Sequence, residues 1–333
     1  MLFRSGLEQD LQKAWFSLTF YPVEGEALAK AKEVFIQTLS KVDSELAVIE
    51  GPWFLGGDAP SLVDLQFITQ VERIIPSVLY WKGLAIRDCQ FRNLDKWLAA
   101  FEALPAYLAS TSDYYTHVMV IPSQNGPGYL IPEAKPIANQ MCGLSLGAWQ
   151  FPLDYNRCLE PFPELAMLAS DYQPPHEAAY KLIQNHENVV RFACRGAGEP
   201  GRPAFHAELA DPYAEPNEEF LQAVDVSLRH VAHVLLQGES ELVKDAAQFD
   251  LQGKGGNDEL RENWEAYPDE ADDSLSYYWN YETGAATWTP PTQQLDTCMT
   301  YLRDRIGVPR DMGPAAAMQF RASLNWAISI MKS

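Results

Sequence analysis

The densest group of side chains that could do chemistry is a run of aromatic residues between positions 277 and 288. Alternate residues of an extended strand face opposite sides, so Tyr277, Trp279 and Tyr281 would share one face. Trp288, further along the chain, would stand beside Tyr277 on that face. An exposed aromatic pair suits an extended polyproline II segment, because such a ligand loses little entropy on binding. The predicted chemistry is therefore noncovalent capture of a proline-rich protein segment.

The opposite face of the same run carries residues suited to a small core. Tyr278 and Asn280 share this face, and Trp264 upstream and Pro291 downstream can close over Tyr278. Two alternatives stay open at this point. The aromatic hairpin could instead dock on the chain's own helices, because it lies between helical stretches, or it could be a relic that binds nothing.

Other residues whose side chains could act in catalysis or bind a metal lack the partners that either role requires. His230 and His233 are three positions apart on a predicted helix, but a metal would need two further ligands. Lys254 lies in a Gly-Lys-Gly-Gly stretch that lacks the spacing of a phosphate-binding loop. The acidic stretch at 269–273 lacks the oxygen spacing of a calcium loop. The sequence therefore predicts no catalytic residue, no metal and no cofactor.

Composition excludes several classes of partner. The chain of 333 residues has a formal net charge of −20, which disfavours binding to nucleic acid phosphates and to anionic lipid. No apolar run reaches the roughly 20 residues that cross a bilayer, so we expect no membrane insertion. Five cysteines, far apart and odd in number, are typical of a reducing compartment. We expect an intracellular soluble protein of the cytoplasm or an organelle stroma, such as that of a plastid.

Hydrophobic periodicity predicts a mainly α-helical protein. The best helix start is at Ser61, which can cap the helix while the Asp64 carboxylate reaches back to the Ser61 amide. An inward stripe on that helix would contain Leu65, Ile68, Val71 and Ile75. The spacing predicts helices over 7–48, 62–78, 93–108, 176–194, 218–236, 294–306 and 314–331.

Turn-forming residues divide the chain into three parts. Residues 119–175 are rich in proline and glycine, which predicts an irregular connector with short helical pieces. The predicted domains are a helical domain at 1–118, this connector, and a second helical domain at 176–333. The aromatic hairpin, at 260–291, would be an insertion in the second domain.

The first domain resembles the all-α C-terminal domain of glutathione S-transferases. The likeness rests on Gly51-Pro52-Trp53-Phe54-Leu55-Gly56-Gly57-Asp58, Ser61-Leu62-Val63-Asp64, Glu72-Arg73 and Leu94-Asp95-Lys96-Trp97. It implies a helical bundle whose central helix begins at the Ser61–Asp64 cap. In that family a preceding thioredoxin-like domain binds most of the glutathione. We find no copy of that domain in this sequence. The nearest candidate, Val118-Met119-Val120-Ile121-Pro122, is a lone β-like segment without the helix and the second strand that a βαβ unit requires.

The aromatic hairpin resembles a WW domain, a three-stranded antiparallel sheet. The likeness covers residues 260–291 and rests on Trp264, Trp288, the Tyr277-Tyr278 pair, the Thr283-Gly284 turn and the closing Pro291. It implies ligand binding by Tyr277, Trp279, Tyr281 and Trp288. It implies a structural role for Trp264, Tyr278, Asn280 and Pro291. The first loop is longer and more acidic than usual, and Tyr281 stands where a histidine is common, which leaves the ligand class open.

Three functions follow from these expectations. The first is a noncatalytic adaptor that binds proline-rich segments and forms a homodimer or part of a larger assembly. The second is a glutathione-dependent transferase, either truncated or completed by another subunit, in which case glutathione would be the cofactor. The third is a structural subunit of a larger assembly.

Overall fold

The computed structural model describes residues 2–87, 90–145, 148–162, 172–203, 207, 209–238, 264–268, 276–280, 286–287 and 291–332. For residues 2–5, 264–268, 276–280, 286–287 and 291–293 the description covers the backbone only. The described chain is mainly helical. It divides into a first unit, Met1–Ala148 with Asn156–Ala169 and Phe205–Glu208, and a second unit, Trp149–Tyr155 with Ser170–Ala204 and Leu209–Ser333.

The first unit is built from helices around one hydrophobic core. A 3₁₀ turn, Pro132–Ala134, leads into its last described helix. The helices are α1 (Leu2–Thr19), α2 (Gly25–Leu46), α3 (Leu62–Lys82), α4 (Arg92–Glu102), α5 (Pro105–Leu108), α6 (Tyr114–Asn125) and α7 (Lys135–Met141).

Helix α3 is the centre of this unit, because it packs against α1, α6 and α7. Its predicted stripe is buried at Ile68, Val71 and Ile75, whereas Leu65 is 48% exposed, so that part of the prediction is wrong. The helix ends at Gly83, whose φ of 64° lies in the left-handed region that a glycine adopts without strain.

Prolines divide two of the predicted helices in this unit. The predicted helix at 7–48 is two helices, because Pro22 has no amide hydrogen and biases Tyr21 away from helical geometry. The predicted helix at 93–108 likewise ends at Glu102, and Pro105 begins α5, where its missing N–H costs nothing. The buried set predicted for α4 is confirmed: Leu94, Trp97, Leu98 and Phe101.

The predicted connector, 119–175, is helical in its first part and belongs to the first unit as far as residue 148. The segment 118–122, which the sequence suggested was β-like, lies inside α6. Asp113 caps this helix by accepting a hydrogen bond from the Thr116 amide at 2.9 Å. Val118, Ile121 and Met141 then join the core. The 3₁₀ turn Pro132–Ala134 and the seven-residue α7 are short helical pieces of the kind that was predicted, and Pro132 and Pro136 occupy their starts, which favour proline.

The second unit has its own core of apolar residues from all five of its described helices. Arg321 is fully buried in this unit, where it donates to the Ile306 carbonyl at 2.7 Å. Two 3₁₀ turns, Cys194–Ala197 and Glu218–Phe220, flank a loop that Asp211 holds by ion pairing with Arg305 at 3.2 Å. The helices are α8 (Pro174–Gln184), α9 (His186–Ala193), α10 (Leu221–Gln237), α11 (Pro291–Arg305) and α12 (Pro314–Met331).

Gly198 allows two backbone segments of the second unit to meet. A Cβ atom there would lie 1.9 Å from the Glu215 carbonyl oxygen and 2.7 Å from the Asn217 nitrogen. Gly198→Ala is therefore expected to lower the free energy of unfolding by about 3 kcal/mol, since neither backbone segment can yield without breaking its hydrogen bonds.

Gly6→Ala is the matched control for Gly198→Ala, because a Cβ at Gly6 would meet nothing within 4 Å. Gly6 lies within α1, where alanine is favoured by about 0.5–1 kcal/mol, so this variant should be slightly stabilised. Urea unfolding of both variants measures the two effects. Equal stability of the two variants would contradict the close approach at Gly198.

The second unit also contains a small antiparallel sheet. Its strands are β1 (Trp264–Pro268), β2 (Ser276–Asn280) and β3 (Ala286–Thr287), in the order β1-β2-β3. Every strand pair among the described residues of this sheet is antiparallel, so these strands form no βαβ unit. In the described part of the chain, no helix combines the length and the apolar character needed to cross a membrane.

Candidate functional site

The aromatic run lies on the backbone of the antiparallel sheet, with a defined register. Between β1 and β2 the paired residues are Trp264 with Asn280, Glu265 with Trp279, Ala266 with Tyr278, Tyr267 with Tyr277 and Pro268 with Ser276. Between β2 and β3 they are Tyr278 with Thr287 and Trp279 with Ala286. The central strand of the sheet is thus the most aromatic one.

This register sorts the predicted site residues into two sets. Residues paired directly across antiparallel strands belong to the same face of a sheet. Trp264, Tyr278 and Asn280 are therefore placed on one face, and Tyr277 and Trp279 on the other. This division is the one that residue alternation predicted, and the core and ligand-binding roles of the two sets stay predictions.

The remaining predicted residues fall at the edge of the described chain or beyond it. Tyr281 and Trp288 lie outside the described residues. Pro291 is the first residue of α11, a position that suits proline because the first helical amides have no intrahelical partner. The side chains of the strands are likewise outside the description, so the proline-binding groove stays a prediction.

The predicted cap at Ser61 and Asp64 is a buried hydrogen-bond centre of the first unit. Ser61 is the N-cap residue of α3 and forms a capping box with Asp64. The Asp64 carboxylate is fully buried and accepts from the amides of Ser61 and Phe54, at 2.8 and 2.9 Å. It also accepts from the Ser61 hydroxyl at 2.5 Å and from the Trp97 indole nitrogen at 2.9 Å.

These four donors fix the role of Asp64 as structural. Each carboxylate oxygen accepts two hydrogen bonds, which saturates it, and all four donors belong to the first unit. The carboxylate links the loop before α3, the first turn of α3 and the indole of α4. A catalytic acid or base would need an exposed oxygen within reach of a substrate, and Asp64 has none.

A second polar cluster of the first unit was not predicted from the sequence. Glu72, on α3, accepts from the His117 ring nitrogen Nε2 and from the Ser112 amide, both at 3.0 Å. The Thr111 hydroxyl donates to the same oxygen at 3.3 Å. Both side chains of the Glu72–His117 pair are largely buried. The cluster joins α3 to the start of α6.

Tyrosines and a second ion pair surround this cluster. Burial, followed by the negative charge of Glu72, raises the pKa of the Tyr107 hydroxyl. Burial also raises the pKa of the Tyr114 hydroxyl. Arg87 makes a two-pronged ion pair with Glu102 close to both rings. Neutral tyrosines and paired charges are typical of a structural network.

The acidity of Glu72 depends on its partners. Burial alone would raise its pKa, but hydrogen bonds and charge from His117, with donors from Ser112 and Thr111, lower the pKa below its ordinary value of 4.5. A carboxylate whose pKa is lower in the folded state than in the unfolded state stabilises the fold at pH values above the unfolded-state pKa. That stabilisation is lost as the pH falls through the folded pKa.

Glu72→Gln is therefore expected to lower the free energy of unfolding by about 1–3 kcal/mol at pH 7, and by less near pH 3. Urea unfolding at the two pH values measures this difference. The exposed Glu50→Gln serves as control and should change stability little at either pH. A Glu72→Gln effect that is equally large at pH 3 would contradict the assignment.

Charged groups of the second unit pair with one another. Asp225, on α10, binds the His186 ring nitrogen and the Arg229 guanidinium, at 2.5 and 2.9 Å. The hydrogen bond from Arg229 is the main cause of the lowered pKa of Asp225. Among the described residues, no group of three His, Cys, Asp or Glu side chains is arranged to hold a metal ion. Asp225 thus joins α10 to α9 through His186, and it forms an ion pair with Arg229 within α10.

Two open grooves lie on the second unit. One, of about 420 Å³, is lined by residues that include His186, Asn188 and Arg229. The other, of about 650 Å³, contains Arg195 and the 74% exposed Tyr213. Each groove mixes opposite charges, so neither selects a ligand of one charge.

No protein-family model matches the chain, no curated protein matches it, and no solved structure matches it. The resemblances to the helical domain of glutathione S-transferases and to the WW domain therefore rest on the residues of this sequence alone.

Proposed function

We propose that this chain is a noncatalytic adaptor whose WW-like sheet binds proline-rich protein segments, carried by helical units that include a glutathione S-transferase-like bundle. The observation that supports the proposal most is the register of β1 and β2. It places Trp264 opposite Asn280, and it assigns Tyr277 and Trp279 to the other face. That division matches the division between a small core and an exposed aromatic surface.

The polar clusters of the described residues give further support. Asp64 is saturated by donors from within the first unit. Glu72 is bonded to His117, Thr111 and Ser112. Buried carboxylates that are hydrogen-bonded within the unit stabilise a scaffold, and in this proposal the aromatic sheet binds the ligand.

Binding of the full chain to an array of proline-rich peptides tests the proposal. The array should include arginine- and tyrosine-containing proline motifs, since the ligand class is open, with proline-to-alanine versions as matched controls. We expect selective binding to at least one proline motif and loss of that binding in its alanine version. Equal binding to proline and alanine versions, or binding to neither, would contradict the proposal.

The resemblance of the first unit to a transferase domain supports a second candidate function, a glutathione-dependent transferase completed by another subunit. Calorimetric titration of glutathione into the purified chain separates the two candidates. Saturable binding in the micromolar to millimolar range would favour the transferase, and heats equal to those of dilution would favour the adaptor. Native mass spectrometry of the protein from its source would identify a subunit of a larger assembly.

A further inference from the structure

The start of α3 carries an exposed apolar surface that the first unit does not use in its core. Leu55, Leu62 and Leu65 are 53%, 67% and 48% exposed, and the described core of the unit contains none of them. A single exposed leucine needs no explanation, but a group of exposed leucines in one place indicates a surface that binds a partner.

The fold places these three leucines beside one another. Leu62 and Leu65 are three positions apart on α3, and residues at this spacing are neighbours on one helix face. Leu55 follows Phe54, whose amide donates to the Asp64 carboxylate at 2.9 Å. Because Phe54 is buried and Leu55 is exposed, the loop turns Leu55 outward next to the first turn of α3. Leu55, Leu62 and Leu65 are called the leucine patch below.

The loop that carries Leu55 is fixed by close packing. The Gly56 amide donates to the Trp53 carbonyl at 2.9 Å, which closes a turn around Leu55. A Cβ atom at Gly56 would lie 2.8 Å from the Cγ2 atom of Ile49, so this partly exposed isoleucine adjoins the turn and extends the apolar surface. A surface that is already ordered loses little conformational entropy when a partner binds.

The chain segment that forms the leucine patch carries charges of one sign. Residues 42–72 contain six Asp or Glu residues and no Lys, Arg or His. Glu50 and Asp58 are exposed in this segment, on the two sides of the loop. The first basic residues before and after the segment are Lys41, on α2, and Arg73, further along α3. The segment therefore gives the leucine patch an acidic rim.

We propose that the leucine patch binds an amphipathic helical segment of a partner protein, with leucine or isoleucine on its apolar face and lysine or arginine beside that face. The apolar face covers the leucine patch, and the basic side chains meet Glu50 and Asp58. A second copy of this chain is a poor occupant, because a two-fold contact would place two acidic rims against each other. The site is separate from the WW-like sheet.

Two synthetic peptides test the proposal on the full chain. Both have about 18 residues, enough for an isolated helix, with leucines at helical spacing. One carries lysines beside the apolar face, and the other carries glutamates at the same positions. We expect fluorescence anisotropy to show saturable binding of the lysine peptide and at least about 10-fold weaker binding of the glutamate peptide. Binding of neither peptide, or equally tight binding of both, would overturn the proposal.

A double variant separates the leucine patch from the general acidity of the chain. Leu62→Gln/Leu65→Gln keeps good helix formers at both positions, so the fold should be retained, and it should weaken binding of the lysine peptide by about 10-fold or more. Val34→Gln, at an aliphatic position of α2 that is also exposed, is the matched control and should bind like wild type. Wild-type affinity in the double variant would overturn the proposal, because net charge alone would then explain the binding.

Two further measurements test the choice of occupant and the independence of the site. Sedimentation velocity should give the same oligomeric state for wild type and for Leu62→Gln/Leu65→Gln. A dimer that the double variant loses would assign the leucine patch to a second copy and overturn the proposal. Trp288→Ala should bind the lysine peptide like wild type, so failure of the sheet as a proline-binding module would leave this result unchanged. Loss of lysine-peptide binding in Trp288→Ala would contradict a separate site.

Discussion

Asp64→Ala is expected to lower the free energy of unfolding of the first unit by about 3–5 kcal/mol. The substitution leaves the Phe54 amide, the Ser61 amide and the Trp97 indole without their acceptor in a buried site. A buried donor that loses its partner costs about 1–3 kcal/mol, and the three donors here belong to three different segments.

Urea unfolding followed by tryptophan fluorescence measures this effect, because Trp97 is one of the affected donors. Asp64→Asn keeps one carbonyl oxygen and should lose less stability than Asp64→Ala. The exposed Asp58→Ala is the control and should remain within about 0.5 kcal/mol of wild type. Equal stability of Asp64→Ala and Asp58→Ala would show that the carboxylate does not hold the unit together.

The cap at Ser61 could be predicted because its signal is local. Serine followed three residues later by an acid, just before an apolar stripe, is a helix-start pattern that needs no tertiary information. The bond from Trp97 to Asp64 spans 33 residues and left no such pattern. The sequence therefore indicated a helix cap but not the buried centre that the cap belongs to.

The positions of helix ends depend on local signals, of which the sequence prediction used some and missed others. The last helix, Pro314–Met331, has the bounds that periodicity predicted, because a proline begins it and an apolar repeat runs its length. The predicted helix at 7–48 ignored Pro22, although its effect on Tyr21 is also local. The predicted start of the connector at 119 falls inside α6, because Pro122 does not end that helix.

One buried polar pair left no readable trace in the sequence. Glu72 and His117 are 45 residues apart. They are brought together by helix packing, which residue spacing alone does not reveal.

Trp288→Ala is expected to weaken the binding of a proline-rich peptide by about 30-fold or more, since a tryptophan at the centre of an interface commonly contributes at least about 2 kcal/mol. The residue was predicted to form the proline-binding groove together with Tyr277. Its loss should not disturb the helical units, so far-ultraviolet circular dichroism of the variant should match that of wild type.

The most direct test of the adaptor proposal is calorimetric titration of the best array peptide into wild type, Trp288→Ala and Tyr213→Ala. Tyr213 is a matched control, because it is an aromatic residue that is 74% exposed and lies away from the sheet in sequence. The proposal predicts wild-type affinity for Tyr213→Ala and a loss of about 30-fold or more for Trp288→Ala. Wild-type affinity in the Trp288→Ala variant would contradict it.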